Sequence, residues 1–74
     1  MAFDLRKLKG KIVEVYDTQY NFAAAMGWAE KTVSQKINGD SLWRQNEIER
    51  AVELLGIPTE SIGEYFFTPK VQQI

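Results

Sequence analysis

Covalent and acid–base chemistry requires nucleophiles or titratable groups held close together, and this 74-residue chain offers few of them. It contains no histidine and no cysteine, which removes imidazole bases, thiol nucleophiles, thiolate metal sites and disulfides together. There is no glycine-rich phosphate loop, and no set of Asp and Glu stands at metal-ligand spacing. Glu47, Glu49, Glu53, Glu60 and Glu64 form the one concentration of carboxylates. Glu49 and Glu53 fall one turn apart on the polar face of a predicted helix, a pattern that a solvated surface explains. The expectation is a protein that is not an enzyme, takes no cofactor or metal, and has no small-molecule substrate.

Recognition is the remaining chemistry. The formal net charge of −1 opposes simple attraction to nucleic acid, since neutralisation of phosphates by Lys and Arg supplies most non-specific affinity. The charge is unevenly distributed, however. Through Arg44 there are seven basic residues (Arg6, Lys7, Lys9, Lys11, Lys31, Lys36, Arg44) against five acidic ones (Asp4, Glu14, Asp17, Glu30, Asp40). The rest of the chain is acidic, so the molecule is polarised in a way compatible with a duplex partner. Charges within Met1–Gly10 break any signal-peptide core, and no apolar run approaches the roughly 20 residues needed to span a bilayer. A soluble, cytoplasmic protein with no membrane partner is expected.

The elements that would position a recognition surface are helical. Leu5, Leu8, Ile12, Val15 and Tyr16 recur at steps of three and four, which predicts a first helix with one buried face. Asp17 and Thr18 offer an N-cap for a second, short helix carrying Phe22, Ala23 and Met26 and ending at Gly27. After a tight turn at Trp28 and Ala29, a mostly polar third helix runs from Lys31 to Ile37, with Val33 and Ile37 on its apolar face, and Asn38-Gly39 closes it. Ile48, Ala51, Val52 and Leu55 define a fourth helix ending at Gly56, although the junction after the Asp40–Arg44 loop has no clear signal. Thr59 can cap a fifth helix with Ile62, Tyr65 and Phe66, stopped by Pro69. The predicted fold is all-α: a compact bundle of five short helices, with residues 1–66 as one domain and 67–74 as a C-terminal tail.

The segment TQYNFAAAMGWAEKTVSQKING, Thr18 to Gly39, has a stricter order than amphipathicity requires. Ala23 is small where two helices must cross closely, Gly27 opens the turn, and Phe22, Met26, Trp28, Val33 and Ile37 supply the apolar wedge. This segment resembles the helix-turn-helix of the lambda-repressor-like (Xre/Cro) family, which includes phage repressors and small Cro-like proteins. The order of five helices resembles that family from about Leu5 to Phe66. Two positions depart from the pattern: Ala29 stands where a Ser-like cap is usual, and Lys36 where an apolar or aromatic residue is usual. Glu30 can still favour the helix start through the macrodipole, and Lys36 can lay its methylenes on the surface and leave its ammonium to phosphate.

The resemblance implies that the third helix lies in the major groove of duplex DNA. Glu30, Lys31, Ser34 and Gln35 would then read bases. Gln19, Thr32, Lys36, Asn38, Ser41, Trp43 and Arg44 would contact the backbone, with the minor groove a second option for Arg44. The implied function is that of a sequence-specific, Cro-like transcriptional repressor, working as a homodimer on a two-fold symmetric operator. Several residues also have readings without DNA. Trp28 suits the core, Trp43 suits either packing under its loop or a surface role, and Glu30 suits a helix cap. Tyr65, Phe66 and Phe67 cannot all point one way, so they suggest a dimer contact, which Val71 and Ile74 would extend; the alternative is packing against the first helix. The rival function is a helix-turn-helix module that binds and modulates another regulator, which the net acidity favours.

Overall fold

The computed structural model describes residues 3–69, and Val71 and Ile74, assigned above to a dimer surface, lie outside them. Helix α1 spans Arg6–Tyr16, α2 Gln19–Met26, α3 Glu30–Ile37, α4 Gln45–Leu55 and α5 Ile62–Phe66, the last entered through a 3-10 turn at Thr59–Ser61. The expected five-helix, all-α bundle is therefore what forms. The strand geometry among the described residues is an isolated antiparallel bridge between Phe3 and Pro69, reinforced by the Asp4 N–H donating to the Thr68 carbonyl at 2.7 Å.

The core follows from helical spacing. Leu8, Ile12, Phe22 and Val33 are the largest fully buried side chains, surrounded by Leu5, Ala23, Met26, Ile37, Ile48, Ala51, Leu55, Ile57 and Phe66. Ala23 is buried on α2, the helix that packs most closely on α3, as its small size suggested. Val15 departs from the expected stripe and is exposed. From Ile12 the next inward position is four residues on, and Tyr16 takes it, packing edge-on against Phe22 with ring centres 5.6 Å apart.

The turns flanking α2 fix its angle to its neighbours. At its start, Thr18 accepts the Asn21 N–H through its side chain at 3.1 Å, so Thr18 alone is the cap. Asp17 has a different task. Its φ of 72° and ψ of −48°, with the Thr18 N–H donating to the Tyr16 carbonyl at 2.8 Å, make a tight γ-turn of the rare, strained kind. At its end, Gly27 adopts a φ of 77°. The Trp28 N–H reaches the Ala23 carbonyl at 2.9 Å and the Gly27 N–H reaches that of Ala24 at 3.2 Å, the paired bonds of a Schellman motif.

These two left-handed positions should respond oppositely to substitution. Asp17→Gly relieves a side-chain clash and should raise stability by about 1 kcal/mol, while Gly27→Ala should lower it by about 1 kcal/mol. Denaturant titrations read both, and equal signs would contradict the turn geometry.

Candidate recognition surface

Helices α2 and α3 meet at Gly27–Ala29, and their outer faces share a polar contact: the Ser34 hydroxyl donates to the Gln19 side-chain oxygen at 3.2 Å. Two residues chosen from sequence for different tasks, one for backbone and one for bases, are thus brought together. Glu30, Lys31 and Gln35 are exposed on α3, whereas Thr32 and Ser34 are half-buried. Ala29 provides no side-chain cap, so the start of α3 relies on Glu30 in its first turn, where a carboxylate favours the positive end of the helix dipole.

Lys36 is the main correction to the sequence reading. It is only 6% exposed, and its ammonium is turned inward rather than left to phosphate. It donates to the Leu42 carbonyl at 2.7 Å and to Glu47 Oε1 at 2.9 Å. The ammonium lies 5.3 Å from the ring centre of Trp28 and 6.0 Å from that of Trp43. Its donors and its charge are therefore satisfied by oxygen ligands and aromatic faces. The helical spacing explains the placement, since position 36 lies beside Val33 and Ile37 on the inward face.

Trp43 is also corrected as a backbone contact. Its indole N–H donates to the Lys36 carbonyl at 3.3 Å, and its ring packs on Trp28 at 5.6 Å and on Phe66 at 5.1 Å. Asn38 and Arg44 remain exposed and Ser41 half-buried on the loop between α3 and α4. Leu42 has its carbonyl turned toward Lys36 while the residue is 81% exposed. Sequence reasoning did not single out Leu42, because an apolar residue in a loop has no periodicity to interpret.

Glu47 was also missed. Its Oε1 accepts the Arg44 N–H at 2.9 Å as well as the lysine, so one oxygen ties α3 to the first turn of α4. Burial pushes the Glu47 carboxyl up. The Arg44 N–H, the Lys36 hydrogen bond and the positive charges of Lys36 and Arg44 outweigh that and hold it below the usual glutamate range. A Glu three residues after a helix cap is a recognisable signal, but it is normally read with Ser, Thr, Asp or Asn at the cap, and Arg44 occupies that place.

The aromatic end is corrected in part. Phe66 is 2% exposed and belongs to the core, because Ile62 and Phe66 are four residues apart on the inward side of α5. It cannot be a dimer contact in this fold. Tyr65 is half-buried beneath the Lys7 ammonium, 5.2 Å from its ring centre. Phe67 is 47% exposed, edge-on to Phe3 at 5.5 Å.

A family model described as "Protein of unknown function (DUF739)" matches residues 1–69. The chain belongs to the DUF739 family. The matching model does not itself show the Xre/Cro family that the Thr18–Gly39 segment resembles, but a fold like that of a phage regulator is supported. The DUF739 chain is similar to the solution structure of the modulator of repression (MOR) of the temperate bacteriophage TP901-1 from Lactococcus lactis. The two share 47% identity over 97% of each chain, with a TM-score of 0.79. No curated protein matches this DUF739 chain. Among its described residues no helix is long and apolar enough to cross a membrane, and no cluster of acidic side chains could hold a metal ion.

Removing one partner of the Lys36–Glu47 pair leaves the other buried without its counter-charge. Lys36→Ala should therefore lower stability by about 3 kcal/mol, as measured by denaturant titration. The pair also sets an acid limit. The folded-state Glu47 carboxyl is depressed, so its contribution is fully present above the unfolded value of about 4.3 and is lost as pH falls through the lower folded value. Thermal melts between pH 6 and pH 2 should show a steeper loss for the native chain than for Glu47→Gln; parallel curves would contradict the assignment.

Proposed function

We propose that this protein is a phage-type modulator of repression that acts by binding a repressor protein, using the outer face of α3 and the loop that follows it. The single observation carrying the reading is full-length similarity, at 47% identity, to a phage modulator of repression. The surface supports it. With Lys36 turned inward, the exposed charges between Glu30 and Arg44 are Glu30, Lys31, Asp40 and Arg44, which cancel. A duplex reader gains its affinity by neutralising several phosphates, whereas a protein partner suits a mixed, uncharged-on-average face. The proposed site of action is the cytoplasm of the bacterial host.

A second reading keeps the duplex as partner and has one specific support. The Gln19–Ser34 bond joins the start of α2 to the face of α3 that exposes Lys31 and Gln35, groups whose donors and acceptors suit guanine and adenine edges. On that reading the protein is a homodimeric, Cro-like repressor of a two-fold symmetric operator, with Phe67 at the dimer contact.

One experiment separates the readings. The protein is titrated by calorimetry against the repressor encoded nearest to it, and in parallel selected against a random duplex pool at low and near-physiological salt. A stoichiometric complex with the repressor, and no sequence enrichment at near-physiological salt, is expected. Enrichment of a symmetric site by the protein alone, with half-sites about one helical turn apart, would overturn the proposal. In that case Gln35→Ala should change the preferred base at one position.

A further inference from the structure

The Asn38–Arg44 loop is held by several hydrogen bonds. The Gly39 N–H donates to the Lys36 carbonyl at 3.3 Å and the Asp40 N–H to that of Gln35 at 2.9 Å. The Leu42 carbonyl takes the buried ammonium, the Trp43 indole returns to the Lys36 carbonyl, and the Arg44 N–H is bound by Glu47. Within this lattice of bonds the Leu42 side chain is the most exposed large apolar group among the described residues. Leu42 and the half-exposed Phe3 and Phe67 border a groove of about 180 Å³ that, among the described residues, is lined without a charged side chain.

We propose that Leu42 is the apolar anchor for the repressor, and that Lys36 is the positioning residue that presents it. This rests on the repressor-binding reading above. By drawing the Leu42 carbonyl inward, Lys36 fixes the backbone that points the isobutyl group out. An apolar group already held in place loses little conformational freedom on docking, and such preorganisation raises affinity without adding contacts. The occupant that fits is an apolar segment of the repressor: the described lining is aromatic and aliphatic apart from Gly39 and Ser41, and among the described residues it offers no cation for phosphate and no carboxylate for a basic strand. The groove is continuous with the loop that adjoins α3, so one partner can cover both.

The test uses the full chain, with the neighbouring repressor as probe, at a temperature well below every variant's melting point. Leu42→Ser should weaken repressor binding at least tenfold with an unchanged melting temperature. Lys36→Met should weaken it by a similar factor and accelerate amide exchange in residues 41–44, and the two changes together should cost little more than either alone. Leu8→Ala, which destabilises through a cavity on α1, serves as a control for lost stability and should bind as the native chain does. The inference is overturned if Leu42→Ser binds normally, or if Lys36→Met loses no more affinity than Leu8→Ala. Failure of the native chain to bind any repressor would instead sink the reading of its function, and the anchor with it.

Discussion

A lysine ammonium taken out of water must find partners or lose its charge, and the Lys36 ammonium obtains them from three directions at once. The Leu42 carbonyl and Glu47 carboxylate supply oxygen at hydrogen-bond distance, and two indole faces supply the rest. Satisfying the charge therefore requires α3, the loop and α4 to be in place together, since Glu47 reaches Lys36 only when the first turn of α4 is formed. The Trp28–Trp43–Phe66 stack that covers this centre carries the constraint on to α5. A buried pair of this kind contributes little net stability over an apolar substitute, but a broken one costs heavily. What it does here is tie the loop to α3 and α4 through one ammonium.

That arrangement changes what the α3 face can do. A lysine at the end of a recognition helix, if it pointed outward, would add attraction for phosphate. Turned inward, it removes that attraction and leaves opposite charges in balance on a surface that also carries Leu42. The same helix-turn-helix frame can thus serve contacts of different kinds, because function resides in the side chains placed on the frame.

Much of the fold could be read from the residues. The Leu8–Ile12, Val33–Ile37 and Ile48–Leu55 spacings placed the buried faces, and Thr18, Gly27 and Gly56 marked helix ends through well-understood cap chemistry. What escaped had physical reasons. Lys36 occupies an inward position by spacing alone, but a lysine there is ordinarily expected to extend to solvent, and only the remote Glu47 makes burial tolerable. The start of α4 was obscured because Arg44 is an atypical cap residue and the partner side chain comes from inside the helix. Phe66 was separable from Tyr65 and Phe67 by its four-residue step from Ile62, a signal outweighed by the three consecutive aromatics. Of the candidate surface, Lys31 and Gln35 were placed outward as expected, while Leu42 had no pattern around it.

The pairing of Phe3 with Pro69 joins the two extremes of the described chain through one bridge and one backbone bond. Contacts so remote in sequence carry a large loop-closure cost, and the order of assembly follows from it. The helix-turn-helix, built from neighbours, can organise first, and the clasp closes only after α5 has packed. A junction held by one bridge and one backbone bond is of the kind that local opening favours, which sets the Phe3 wall of the groove apart from the loop that Lys36 ties down.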